Sequence, residues 1–215
     1  VLDATLQPLV HRLLERPGRW LARAGVAADA VTLTGFLVGL AALPLLAAGL
    51  FGAALAAILL NRTLDGLDGA VARVAGPTDR GAFLDIALDF LFYATVPLGF
   101  ALADPAANGL PAAFLLFAFV GTGSSFLAFA AVAAVAARHG LPETRLRAKG
   151  IRYLGGLTEG TETIACFALM CLWPAQFPLL AWIFGGLCLL TTATRWWTGW
   201  TTLPTGGGRT DDRRG

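Results

Sequence analysis

The sequence predicts an all-α integral membrane protein, six transmembrane helices preceded by an N-terminal helix on the cytoplasmic membrane surface. Three observations carry that expectation. The chain of 215 residues is 56% hydrophobic and only 14% charged, against about 25% charged residues in an ordinary soluble domain. Its apolar residues fall into six runs long enough to cross a bilayer. Its 16 Lys and Arg gather beside alternate connections, which suits a polytopic chain with both ends on the cytoplasmic side.

Residues 3–23 place Leu6, Val10, Leu13 and Leu14 on one side and Arg12, Glu15 and Arg19 elsewhere. This suits an amphipathic helix lying on the membrane, with a kink at Pro17. No basic segment followed by an apolar core and a cleavage site opens the chain, so no signal peptide is expected. The six spans cover residues 30–199. The first is expected at about 30–50, with Asp29 as its N-cap. The second runs over about 52–75 and the third over about 79–103, with Gly76-Pro77 turning between them. Pro105 and Asn108 mark the next turn, and the fourth span runs to about 137. A polar, basic loop covers 138–156. The fifth span is expected at 157–174, ended by Pro174, and the sixth at 177–199. Residues 1–200 read as a single membrane domain, and the Gly-rich, charged residues 201–215 as a flexible cytoplasmic tail.

The basic residues give the orientation. Arg12, Arg16, Arg19 and Arg23 precede span one; Arg62, Arg73 and Arg80 go with the turn after span two. Arg138, Arg145, Arg147, Lys149 and Arg152 lie around the loop after span four, and Arg195, Arg209, Arg213 and Arg214 close the chain. The connections near 50, 105 and 175 hold none. Both termini are therefore expected in the cytoplasm, with the turn after span two on the same side. Cys166, Cys171 and Cys188 all lie in apolar runs without metal-ligand spacing and read as buried hydrophobes. His11 and His139 are isolated.

The chemistry concentrates between Asn61 and Phe90. Asp65 and Asp68 are three residues apart, Asp85 and Asp89 four apart, so each pair shares a helix face. An antiparallel helix pair turning at Gly76-Pro77 aims all four carboxylates into one gap. Gly69 and Ala72 continue the first stripe and Gly81 precedes the second. Such small residues let backbones approach closely or let a ligand lie against them. An aspartate at membrane depth costs about 2.5–3.5 kcal/mol, and four cost on the order of 10 kcal/mol. Arg73 and Arg80 can neutralise two of them. Divalent cations do better, and oxygen-only ligands favour Mg²⁺, Mn²⁺ or Ca²⁺. Four carboxylates on facing helices match a two-metal site for displacement at phosphorus.

The pattern Asp65-x-x-Asp68-Gly69-x-x-Ala72-Arg73, then Gly81-x-x-x-Asp85-x-x-x-Asp89, resembles the signature of the CDP-alcohol phosphotransferases, integral membrane enzymes of phospholipid synthesis. The likeness extends over about residues 3–200, because the surface helix and six spans also fit. It implies that Asp65, Asp68, Asp85 and Asp89 hold Mg²⁺ or Mn²⁺, as two ions, with Asp89 also the general base for the acceptor hydroxyl. It further implies that Thr32, Asp68, Gly69, Ala72 and Arg73 border the cytidine nucleotide. Many members carry Asn where Asp29 stands. Many also have eight residues between the positions of Arg73 and Gly81, one more than here, a difference that would rotate the two carboxylate pairs relative to each other.

The acceptor side is expected after span four. Arg145, Arg147, Lys149 and Arg152 form a basic run. It reads either as topology plus attraction to anionic lipid or as a phosphate-binding rim. Glu159 and Glu162 enter the fifth span, and with Lys149 and Arg152 they are the candidate acceptor residues. Arg195 reads as a helix-end side chain reaching for the interface, and Trp196, Trp197 and Trp200 as an interfacial belt. Gly121, Gly123, Ser124 and Ser125 permit close packing, including at a dimer contact; family members are commonly homodimers.

The expected function is transfer of a phosphatidyl-type group from a CDP-linked lipid, CDP-diacylglycerol, to a small alcohol at the cell inner membrane, with release of CMP. Two alternatives use the same carboxylates: transfer of a CDP-linked headgroup to a lipid alcohol, and transport of a divalent cation. Membrane lipids are the expected surroundings, and no nucleic-acid partner is expected.

Overall fold

The computed structural model describes residues 3–138, 158 and 160–202. Among them every regular element is helical. Helix α1 spans Asp3–Arg23, and α2, Ala28–Leu40, and α3, Ala42–Ala47, follow. Then come α4 (Phe51–Ala75), α5 (Asp79–Ala103) and α6 (Pro105–Arg138). Helix α7 (Gly160–Leu172), a 3-10 turn at Pro174–Gln176 and α8 (Phe177–Thr202) complete the chain. Among the described residues, four segments are long and apolar enough to cross a membrane: Ala28–Ala47, Asp79–Ala103, Pro105–Val135 and Pro174–Thr202. Helix α4 has the length, 25 residues, but carries charges through its second half. Helix α7 has 13 residues, about 20 Å at 1.5 Å each, short of the hydrocarbon thickness of about 30 Å.

Several local expectations need correction. The first span is two helices, not one. Pro44 has no N–H to donate to the Leu40 carbonyl, so the ladder breaks there and Ala41 becomes the junction. Asp29 is not an N-cap: that position is Ala27, which makes no side-chain cap bond, and Asp29 lies inside the first turn of α2. Its carboxylate instead accepts two hydrogen bonds from Arg80, the one from Nε at 2.9 Å. Helix α1 runs through Pro17 without a break. The last helix extends to Thr202, into the stretch assigned to the tail.

The turn that aligns the carboxylate helices is built as its sequence dictates. Gly76 takes φ +97°, a left-handed value that favours glycine, and its N–H closes α4 on Ala72 O at 2.9 Å. Pro77 follows, and Thr78 Oγ1 caps α5 by accepting from Gly81 N at 3.0 Å. At the other end of α5, Asp104 accepts from Ala107 N at 3.0 Å ahead of Pro105, a cap-and-proline start for α6.

The core draws buried side chains from every helix from α3 to α8. Phe51, Phe100 and Phe177 stack in series, with ring centroids 5.5 and 4.3 Å apart. Leu46, Ile58, Phe92, Leu115, Phe167 and Met170 are fully buried around them. Close approach of α2 to α4 and α5 depends on Gly35 and Gly39. A Cβ on Gly39 would lie 2.6 Å from the Phe92 ring and 2.8 Å from Asn61 Nδ2. Gly121 and Gly123 do the same within the chain, against Thr192 of α8 and Phe90 of α5. Large apolar side chains on the outer surface, among them Leu37, Leu102, Phe117 and Leu187, are exposed, as expected of a lipid-facing surface.

Candidate metal and nucleotide site

The site forms where α4 and α5 run antiparallel beneath the Gly76 turn. Asp68 is seven residues before the end of α4, about 10 Å along the axis from that end. Carboxylate oxygens of Asp65, Asp68 and Asp85 lie within 4.8 Å of one another. The one-residue-shorter connection therefore does not prevent the two helices from meeting at these acids. Asp68 is 6% exposed, and its Oδ2 is buried without a hydrogen-bond partner. A buried carboxylate oxygen left unpaired is costly. With two more carboxylates alongside, it needs a cation. Oxygen donors converging in this way fit a hard divalent ion.

Asp89 lines the same crevice but stands apart from that cluster. It is held by Arg62, whose Nη2 donates to Oδ1 at 2.6 Å and Nη1 to Oδ2 at 3.3 Å. Arg62, grouped by sequence with the basic residues about the turn after span two, sits mid-way along α4, and its side chain is only 16% exposed. Its Nη1 also approaches Asp65 at 3.6 Å, and its Nε donates to Asn61 Oδ1 at 2.8 Å. The guanidinium stacks over the Phe92 and Tyr93 rings at 4.7 and 5.4 Å and donates to Tyr93 Oη at 3.3 Å. Buried Asn61 ties the group to α2 by donating to Gly35 O at 2.8 Å. Arg62 and Asn61, which line the crevice with the four aspartates, are the candidate site residues that sequence reasoning missed. The available signal was the spacing: Arg62 precedes Asp65 by three residues and shares its helix face. Arg73 and Arg80, expected to neutralise the acids, do not pair with them; Arg73 is exposed and Arg80 binds Asp29.

Beside the carboxylates opens a cavity of about 370 Å³, whose walls include Thr32, Asp68, Gly69, Ala72, Gly81 and Asp85. Four of the five residues assigned to the nucleotide thus line one space. The fifth, Arg73, borders it: a Cβ on Gly69 would meet Arg73 Nη1 at 3.4 Å and nothing else. Gly69 is therefore not small for the sake of helix packing; its missing side chain leaves room on the cavity wall.

On the acceptor side, Lys149, Arg152 and Glu159 lie outside the described residues. Glu162 is half-buried in the first turn of α7. That turn adjoins the site: a Cβ on Gly160 would lie 3.5 Å from Tyr93 Oη, the hydroxyl bonded to Arg62. Arg195 does not reach outward as expected. It turns toward α6, donating to Thr122 O at 3.0 Å and lying over the Phe126 ring at 5.7 Å. Trp196, Trp197 and Trp200 are largely exposed, as a belt requires.

Known proteins resemble this chain over most of its length. The family profile of CDP-alcohol phosphatidyltransferase matches residues 25–205. Inner membrane protein YnjF of Escherichia coli K12 is 57% identical over 203 residues, which is 94% of this chain and 97% of that protein. Archaetidylinositol phosphate synthase of Pyrococcus horikoshii is 39% identical over 103 residues, covering 45% of this chain and 52% of its own. Among solved structures, phosphatidylinositol phosphate synthase (PgsA1) of Mycobacterium tuberculosis with CDP-DAG bound superposes with a TM-score of 0.64 at 25% identity. That match covers 95% of this chain and 99% of the other.

Proposed function

This chain belongs to the CDP-alcohol phosphatidyltransferase family, and on that premise we propose that it moves a phosphatidyl group from CDP-diacylglycerol to a small alcohol and releases CMP. It is an enzyme, a membrane phosphotransferase of phospholipid synthesis. The observation that carries the proposal is the buried, unpartnered Asp68 oxygen, set among Asp65 and Asp85 at the wall of an open cavity. The archaeal and mycobacterial relatives, named as inositol phosphate lipid synthases, support a CDP-lipid donor.

Asp65, Asp68 and Asp85 would hold a divalent ion, Mg²⁺ or Mn²⁺, which supplies neutralisation of the donor's diphosphate. The remaining work falls to the chain. Thr32, Gly69 and Ala72 form the wall for the cytidine nucleotide, and exposed Arg73 at its edge meets the departing phosphate. Asp89 takes the proton of the acceptor hydroxyl. Of its two bonds to Arg62, that on Oδ2 is the longer, 3.3 against 2.6 Å, so Oδ2 is the oxygen freer to accept it. The alcohol oxygen bonds to the lipid-linked phosphorus, the bridging P–O bond breaks, and its electron pair leaves with CMP. The acceptor enters from the α7 side, past Tyr93, with Glu162 and the preceding Lys149, Arg152 and Glu159 as its contacts.

In this reading α2 with α3, then α4, α5, α6, α7 with the residues before it, and α8 are the six spans. Exposed Leu13 and Trp20 put α1 on the cytoplasmic surface, as the lipid-contacting part of a single membrane domain over residues 1–200. The inner membrane location follows the name of the Escherichia coli relative, with both termini cytoplasmic and two copies forming a homodimer.

The test is CMP release by purified protein given CDP-diacylglycerol, Mn²⁺ and a panel of polyol and polyol-phosphate acceptors. Release with one acceptor, and a new phospholipid, is the expected result. Release only when a CDP-linked headgroup and diacylglycerol are supplied would reverse donor and acceptor. Manganese flux into vesicles without any CMP would replace the transferase reading.

A further inference from the structure

We infer that Arg80 is a positioning residue for the donor: it cancels the charge of Asp29 in the wall of the nucleotide cavity and so sets the affinity for the CDP-linked lipid. The inference rests on the donor reading given above and deepens it. Asp29 stands where many members of the family carry a neutral Asn, and it lines the cavity together with Asp68 and Asp85. This chain therefore presents one more acid to an anionic donor than those members do. Asp68 and Asp85 lie with Asp65 in one cluster, where a cation answers for them. Asp29 lies outside that cluster, and among the described residues its ion-pair partner is Arg80.

Both helices build the pair. Asp29 is in the first turn of α2 and Arg80 in the first turn of α5, so the contact closes one side of the cavity between them. Nε and Nη2 of Arg80 both donate to Asp29 Oδ2, as a planar, permanently charged fork allows. The other oxygen, Oδ1, lies toward Gly81, where a Cβ would stand 3.2 Å from it. The glycine of the second motif thus makes room for this carboxylate. The Asp29 side chain is 20% exposed and that of Arg80 is 80% exposed. The acid is set in the cavity wall, and its counter-ion reaches it from the solvent side, where an ion pair adds little to stability. The consequence of the pair falls on the ligand.

Distance gives the size of that consequence. Arg80 and Asp85 are five residues apart on α5, about 7.5 Å along the axis. The Asp29 charge therefore sits roughly that far from the diphosphate held at Asp85. Across about 8 Å, at an effective dielectric of about 20 to 80, one unpaired carboxylate facing one phosphate charge changes affinity by about 2- to 30-fold. Arg80 removes that repulsion. An Asn at the same place removes it without a partner, which accounts for an arginine being needed here.

The test measures binding of radiolabelled CDP, in the presence of Mn²⁺, to the purified full-length chain in nanodiscs by equilibrium dialysis, with thermal unfolding alongside. Arg80→Gln keeps a hydrogen-bond donor and loses the charge; it should raise Kd about 2- to 30-fold while Tm hardly moves. Arg80→Lys keeps the charge and should stay within about twofold of wild type. The double variant Asp29→Asn with Arg80→Gln should bind within about twofold of Asp29→Asn alone, because the two positions act as a coupled pair. A wild-type Kd in Arg80→Gln, an equal loss in Arg80→Lys, or an undiminished loss when Arg80→Gln is added to Asp29→Asn overturns the role of Arg80 and leaves the donor reading standing. Failure of the wild type to bind CDP with Mn²⁺ sinks the donor reading and the inference with it.

Discussion

Placing the same substitution, Gly to Ala, at two helical glycines separates packing from ligand space. At Gly69 the added Cβ meets only Arg73 Nη1, at an ordinary 3.4 Å. Replacing an interior helical Gly by Ala is worth about 1 kcal/mol of helix stability. Gly69→Ala should therefore raise Tm, by about 2–4 °C for a chain of this length. The methyl intrudes on the cavity wall, and overfilling a fitted site costs about 1–3 kcal/mol. On that scale kcat/KM for the CDP-linked lipid should fall about 5- to 150-fold. At Gly39 the same methyl would sit 2.6 Å from the Phe92 ring and 2.8 Å from Asn61 Nδ2. Gly39→Ala should lose about 1–3 kcal/mol by overpacking, against the small propensity gain. The assays are thermal unfolding followed by tryptophan emission and CMP release under varied donor. A Tm that falls in Gly69→Ala, or an unchanged kcat/KM, would refute the assignment of Gly69 to the ligand space.

Asp85→Asn and Asp89→Asn should each abolish CMP release while leaving size-exclusion profile and helical circular dichroism unchanged. Mn²⁺ at a hundred times its Kd should stabilise the wild type by about 2.7 kcal/mol, and chelation should remove both that gain and the CMP release. Asp68→Asn should raise the metal-free Tm, because a buried carboxylate with an unpartnered oxygen is replaced by a neutral amide; it should also lose the Mn²⁺ response. Arg80→Ala should cost under about 1 kcal/mol in a denaturation series, since the Arg80 side chain is 80% exposed and its pair with Asp29 is screened.

The helical membrane architecture was legible because long apolar runs admit few alternatives, and the acidic site because a helix converts spacings of three and four into a shared face. Asp65, Asp68 and Asp85 converge as that rule requires. What sequence left obscure depends on which neighbour a side chain meets. Arg62 falls within the expected second span, where an arginine is costly; that it pairs with Asp89 and packs on Phe92 and Tyr93 depends on how α5 meets α4. Asp29 fitted a cap by residue type, but α2 begins at Ala28, which puts Asp29 inside the first turn, where it meets Arg80 of α5. Pro17 and Pro44 were indistinguishable by type, yet the first leaves its helix continuous and the second divides a span.

The first helix rests on the catalytic one through a contact with no slack. Gly18 lies over Ala70, next to Gly69, and a Cβ at position 18 would stand 2.5 Å from the Ala70 Cβ. A side chain larger than hydrogen at position 18 would lift α1 off the same helix that carries Asp65 and Asp68, so the seating of this outer helix is set by one missing methyl.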